Sequence, residues 1–253
     1  MTNANNSSNS EAIAIIAIAI DFETTCATSE AQATELGLCP VIFSANGILN
    51  PRIDAISVRC KPERDISFGS MAVTGICPED VANEPSHSSA LLPWLPKGPA
   101  YVIGHNIDFD IQVAKNAGID VSEYKAICTL AMSRELYPDA QHSLGAMLYM
   151  LDYDYARQHA QNAHSAAHDV RFCIRLLRIF CREVGITDMQ SLYEYSEQAR
   201  IPKIMSLKKH KGKAITDMAK NSDGRGYLQW VIDNIEDSPY LVKACQQALK
   251  VKE

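Results

Sequence analysis

At 253 residues the chain is long enough to bury a sizeable core, either as one domain with an appendage or as two small domains. Hydrophobic residues make up 47% and charged residues 21%, an ordinary globular balance, and the longest apolar run, residues 12–20, is too short to cross a bilayer as a helix. The net charge of −6 is unevenly spread: residues 1–200 hold 14 Lys/Arg and 24 Asp/Glu, residues 201–253 hold 10 and 6, so an acidic body carries a basic tail.

In chain order, residues 1–11 are Asn/Ser-rich without Lys or Arg, which disfavours a secretory signal and predicts a disordered leader. Ile13–Asp21 is a continuous isoleucine-rich run, the pattern of a central buried strand. Pro40–Ser44 and Ile53–Cys60, separated by the turn signals Asn46-Gly47 and Asn50-Pro51, predict a hairpin beside it. A short helix ends over Leu91–Leu95 before Pro96, a brief strand covers Tyr101–Ile103, and a helix over Phe109–Ala117 stops at Gly118. Residues 128–137 and 143–151 read as two more helices. The longest helix follows Ser165: Val170, Cys173, Ile174, Leu177, Phe180, Cys181 and Val184 recur at helical spacing, and Gly185 ends the run. Strands first, then strands alternating with helices, give an α/β architecture with a mixed central sheet. After Arg200 the sequence becomes lysine-rich with turn residues. The expected divisions are thus a main domain over 12–186, a linker helix over 187–200 and a small basic module over 201–253. None of the eight cysteines forms a Cys-x-x-Cys pair, which signals neither a zinc knuckle nor a redox motif and fits a reducing, cytoplasmic setting.

Three separated stretches carry acids that make chemical sense only together: Ile20-Asp21-Phe22-Glu23-Thr24-Thr25, His105-Asn106-Ile107-Asp108-Phe109-Asp110 and His164-Ser165-Ala166-Ala167-His168-Asp169. Residues two apart on a strand share a face, so Asp21 and Glu23 project together from the end of the first strand, with Phe22 as an anchor on the other side. Asp108 and Asp110 lie about 200° apart around a helix, so one of them faces the site. Asp110, after the apolar Phe109, is the better candidate, and Asp108 suits a helix N-terminus. His164 and His168 share the spacing of a zinc-protease helix, but position 165 is Ser rather than Glu. Ser165 reads as an N-cap that leaves His164 just outside the helix, with Asp169 one turn in; His168 is expected at the surface or just behind the ligands. Asp21, Glu23, Asp110 and Asp169 would form a carboxylate tetrad with His164 beside it, and such a tetrad repels strongly unless cations sit within it. Such an oxygen-rich set suits two Mg²⁺ ions, with Mn²⁺ as a substitute, and two such ions make a phosphodiester-cleaving site.

The basic tail adds a compact loop, Lys208, Lys209, Lys211 and Lys213 around Gly212, followed by Tyr227 and Trp230. Such lysines can neutralise phosphates without reading sequence, and an aromatic can stack on a base; a solvated face and a small-domain core are the plain alternatives. Gly212-Lys213 is followed by Ala214, and position 207 is Leu, so this is no nucleotide-binding P-loop.

Taken in order, the Asp-Phe-Glu-Thr, His-Asn-x-x-Phe-Asp and His-x₄-Asp stretches resemble the three motifs of DnaQ-like 3′→5′ exonucleases of the DEDD class, histidine subclass. The resemblance covers roughly residues 12–185, and Ile127–Pro138, His142-Ser143-Leu144 and Lys209–Lys213 with Tyr227–Trp230 are similar to the bacterial exonuclease X group with its C-terminal module. It implies a ribonuclease H-like fold and a DNA-directed hydrolase of repair or clean-up that releases nucleoside 5′-monophosphates. It further implies a first metal on Asp21, Glu23 and Asp169, a second bridged by Asp21 and supported by Asp110, and His164 as the general base. Thr24, Thr25, Gly75, Ile76, His105 and Asn106 would contact the terminal nucleotide. Many relatives carry histidine where Thr74 stands, and glycine where Lys208 stands. The rival expectations are an RNA-trimming enzyme of the ribonuclease T or oligoribonuclease kind, and a non-catalytic nucleic-acid-binding or polymerase-associated module.

Overall fold

The computed structural model describes residues 16–159 and 165–250; the expected leader and His164 lie outside the described residues. Strands β1 (Ala17–Thr24), β2 (Ala33–Phe43), β3 (Leu49–Pro51) and β4 (Ile56–Arg59) come first, followed by the short helices α1 (Phe68–Thr74), α2 (Pro78–Val81) and α3 (His87–Leu91). Strand β5 (Ala100–Gly104) leads into α4 (Ile107–Asn116), and β6 (Tyr124–Cys128) into α5 (Thr129–Leu136), α6 (Leu144–Leu151), α7 (Tyr153–His159), α8 (Ala166–Val184) and α9 (Met189–Ala199). The strand order is β3-β2-β1-β5-β6, with β4 also on β2. β2 pairs antiparallel with β1, β3 and β4, while β1, β5 and β6 run parallel, so the sheet is mixed.

The apolar run of β1 serves both faces of the sheet. Ala17 and Ala19 join the core beneath α8, where Phe180, Leu177 and Leu176 are fully buried; Ile20 and Phe22 join the core on the α4 side with Val102 and Val113. Burying each such aliphatic or aromatic side chain contributes about 1.5–3 kcal/mol. The α8 stripe is the strongest helical signal in the chain, and Gly185 ends it at φ 72°, its N–H on the Cys181 carbonyl. Ser165 occupies the N-cap position, but its side chain makes no capping bond; its backbone carbonyl accepts from His168 and Asp169 instead.

The predicted hairpin differs in extent. β2 starts at Ala33, seven residues before the expected strand. Thr34, Glu35 and Gly37 interrupt its apolar pattern, yet Thr34 and Glu35 are buried at 1% and 5% exposure because this end of the strand lies beneath the site. The sequence pattern does not predict β6 or α7; Tyr-Lys-Ala-Ile-Cys and Tyr-Asp-Tyr-Ala-Arg-Gln-His are short and polar, and both are held by packing.

Helix α9, expected as a linker, buries Met189 and Leu192 in the main core, and its Ser196 Oγ accepts the Cys128 amide at 2.8 Å. Beyond it, α10 (Ile215–Met218), α11 (Ser222–Asn234) and α12 (Pro239–Lys250) enclose a separate small core of Met205, Met218, Leu228, Val231, Leu241 and Cys245. All eight cysteines are free thiols. No helix among the described residues is long and apolar enough to cross a membrane.

Candidate active site

Because β1, β5 and β6 are parallel, their C-terminal ends share one rim, and the acidic stretches converge there. Asp21 and Glu23 continue the face of Ala17 and Ala19. Directly across on β2 stand Gly37, opposite Asp21, and Glu35, opposite Glu23. Gly37 is what admits α8: a Cβ there would lie 2.2 Å from the backbone carbonyl of Ala166, so any side chain would push the first turn of the helix off the sheet. With that turn seated on β2, Asp169 meets the strand carboxylates, and oxygens of Asp21, Glu23 and Asp169 lie within 4.8 Å of one another.

Asp110 arrives from α4. It is 4% exposed, and its Oδ1 accepts the backbone N–H of Phe22 at 3.1 Å, between the two strand acids. Asp108 points elsewhere, exposed and paired with Arg200 at 2.9 Å. Burial, reinforced by Asp110, Asp169, Glu23 and Glu35, holds the Asp21 carboxyl well above the usual carboxylate range. Burial, with Asp169 and Glu35, pushes Glu23 up to about 7. Asp110 is also raised by burial, against the opposing bond from Phe22. No lysine or arginine appears among the groups that shift these three acids. A partly buried all-oxygen donor set whose acids raise the pKa of their neighbours fits a hard divalent ion.

Glu35 is the acid that sequence reasoning missed. It is buried, and the Ser57 hydroxyl of β4 donates to it. The signal that could have found it is alternation: Glu35 and Gly37 are spaced like Asp21 and Glu23, on the next strand.

The remaining expected site residues surround the rim. Thr24 donates to the Cys26 carbonyl at 2.9 Å, and Thr25 Oγ1 accepts from the Gln32 amide at 3.2 Å, fixing the turn after β1. Gly75 ends α1 at φ 71°, while the Ile76 side chain packs inward against Ile66 and Val81. His105 is clamped: Nδ1 lies 2.9 Å from Thr129 Oγ1 and Nε2 2.7 Å from the His142 carbonyl, and burial takes its pKa down to about 4. Asn106 adopts φ 75°, an unusual backbone for a non-glycine residue, at the start of α4 without spending its side chain on a cap. His168 is not at the surface: it is 4% exposed and packs on Phe172 at 4.3 Å, behind the ligands. Lys208, Lys209, Lys211 and Lys213 are all exposed on the C-terminal module, with Lys209 paired to Asp223 at 3.2 Å. Of the aromatics there, Trp230 stays 46% exposed, stacked on the ring of Tyr227 at 5.5 Å.

The exonuclease family described as RNase T matches residues 18–177, more than half of the chain. The chain belongs to this exonuclease family. Its fold is similar to that of exonuclease X, solved in complex with 5′-overhanging duplex DNA, with a TM-score of 0.53 at 22% identity over 71% of this chain and 98% of that one. E. coli exonuclease I bound to single-stranded DNA gives a TM-score of 0.55 at 16% identity, and exonuclease I from Methylocaldum szegediense 0.54 at 18%. The matches to exonuclease I cover 74% and 75% of this chain but 44% of each of those larger proteins. No curated protein matches the chain. The exonuclease domain is thus DnaQ-like, with a ribonuclease H-like mixed sheet and the acidic rim at the ends of its parallel strands.

Proposed function

We propose that this protein is a divalent-metal-dependent 3′→5′ exonuclease that trims DNA and releases nucleoside 5′-monophosphates. The observation that carries this reading is the meeting of Asp21 and Glu23 with Asp169 from a second element, with Asp110 from a third element beside them at the Phe22 amide, so that Asp110 and Asp169 both help to raise the pKa of Asp21. Asp21, Glu23 and Asp169 would hold one Mg²⁺, and Asp21 with Asp110 a second. Such a pair of ions lowers the pKa of an attacking water and stabilises the attacking and leaving oxygens of a phosphodiester. His164 would serve as the general base toward the attacking water, a role suited to histidine side chains, which ordinarily titrate near neutrality. Asp110 keeps its orientation through the Phe22 amide, and Asp169 through the seating of α8 on Gly37. Thr24, Thr25, Gly75 and Ile76 flank the terminal nucleotide, and His105, held at both ring nitrogens, fixes Asn106 toward it. Lys208, Lys209, Lys211 and Lys213 add backbone-phosphate contacts. DNA is the favoured substrate because the fold relatives exonuclease X and exonuclease I were each solved with DNA.

The test is product analysis on matched end-labelled single-stranded DNA and RNA with Mg²⁺, alongside an EDTA control. Stepwise shortening from the 3′ end with 5′-monophosphate release is expected, faster on DNA and abolished by EDTA. Faster RNA trimming would move the assignment to the RNA-processing relatives, and absence of cleavage of either would remove it.

A further inference from the structure

The seam between the exonuclease domain and the C-terminal module opens into a cleft of about 630 Å³. One wall holds Asn106, Cys128 and Arg134; the other is the segment from Ala199 to Ile204 together with Tyr240 of α12. Asn106 and Cys128 stand at the ends of β5 and β6, on the rim that carries Asp21 and Glu23. Neighbouring strands lie about 4.8 Å apart, so the cleft extends to about 10 Å along the rim from the acids. At a rise of about 3.4 Å per nucleotide, a nucleic-acid strand covers that distance in about three residues.

Arg200 is the unusual group in this cleft. Its side chain is 5% exposed, and one nitrogen, Nη1, donates to both Asp108 and the Tyr240 hydroxyl at 2.9 Å. The guanidinium also lies 5.1 Å from the centre of the Tyr240 ring. Glu197 stands 3.7 Å from Nε, beyond hydrogen-bond reach, and neither Nε nor Nη2 has a hydrogen-bond partner among the described residues. Buried guanidinium donors are costly to leave without acceptors, and their forked geometry matches phosphate oxygens. The acids along the cleft are already paired: Asp108 with Arg200, and Glu135 with Lys203 at 2.7 Å. Arg134 is exposed at the cleft and makes no ion pair with any described residue. What this seam has in surplus is therefore hydrogen-bond donors without acceptors: two on Arg200 and those of Arg134.

We propose that the cleft is a phosphodiester-binding site, in which the exposed Arg134 holds a backbone phosphate of the strand a few nucleotides from the bond to be cut, and the buried edge of Arg200 opens its two unpartnered donors to that phosphate as the strand seats. This rests on the nuclease reading above, and gives the C-terminal module a role in the grip on substrate, because Tyr240 of that module orients Arg200.

The experiment is equilibrium binding of a short fluorescent single-stranded DNA to the full-length chain in EDTA over a salt series. Arg134→Ala should weaken binding about ten-fold and make the plot of log K against log salt shallower by about 0.7, the share of one phosphate contact. Arg200→Lys keeps the charge but loses the fork, so affinity should fall several-fold with the salt slope retained. If both variants bind like the wild type, or if the wild type does not bind the oligonucleotide, the cleft is not such a site. Should Arg200→Lys loosen the module, the exposed Arg134 decides the question. Adding Mg²⁺ to the same wild-type complex separates the two readings. Binding that depends on Arg134 without cleavage would sink the nuclease and leave the cleft, whereas cleavage with both variants unaltered would sink the cleft alone.

Discussion

Glu23 and Asp223 are both carboxylates, in regions that treat them in opposite ways. At the sheet rim Glu23 is 8% exposed, surrounded by Asp21, Asp169 and Glu35, and its pKa is pushed up to about 7. On the C-terminal module Asp223 is exposed, and the hydrogen bond and charge of Lys209 hold its pKa below the usual range. Exposed pairs of the second kind contribute little to stability. Crowding of the first kind costs stability, and a fold that keeps it does so for something outside the polypeptide. The contrast separates acids crowded together at one rim from an acid paired on an open surface.

The largest expected effect follows directly. Asp21→Ala and Asp169→Ala should each abolish hydrolysis while the chain stays folded; turnover assays and circular dichroism check both halves. Near-wild-type turnover in either variant would refute that ligand assignment. Next, His164→Ala should slow hydrolysis by about 10²–10⁴-fold, the usual range for a general base, read as kcat at saturating substrate.

A pH series then compares the two regions without mutation. Folded Glu23 keeps its proton to about pH 7, whereas unfolded it releases it near 4.5. The metal-free chain should therefore lose stability as pH rises through that window. Mg²⁺ competes with those protons, so the rise in Tm on adding it should be large at pH 8 and small at pH 5. A Mg²⁺ effect independent of pH would contradict the crowded-carboxylate picture. Smaller still, replacing Lys209, Lys211 and Lys213 together by Ala should flatten the salt dependence of DNA binding by about 0.7 for each phosphate that is no longer neutralised, and an unchanged slope would confine the substrate to the exonuclease domain. The smallest effect belongs to Asp223→Asn, which should hardly move Tm; a marked drop would mean that the Lys209 pair is structural.

Much of the fold and the site is legible in the residues themselves. The isoleucine run of β1, the apolar stripe of α8 and its glycine stop are local signals, and the three acidic stretches announce themselves by type and spacing. Helical geometry alone separates Asp110 from Asp108, and the two stand apart in the fold, one buried at Phe22 and one exposed at Arg200. What escapes a sequence reading is set by tertiary context. The start of β2 carries no clear strand pattern because Glu35 and Gly37 interrupt it, one standing beside Glu23 and the other admitting α8. β6 and α9 depend on each other through Cys128 and Ser196, a contact no window of sequence contains. Arg200 looks like an ordinary residue at a composition boundary until its burial is seen.

The bond from the Phe22 amide to Asp110 has a consequence for dynamics. Pairing between β1 and β5 stops at Ala19 and Ile103, and beyond that point the two strands need a wedge; the Asp110 carboxylate supplies it. The same side chain thus closes the split in the sheet and faces the cluster, so anything that engages Asp110 must also alter how readily that one amide opens. Hydrogen–deuterium exchange at Phe22 becomes a built-in gauge of occupancy, readable without substrate or turnover.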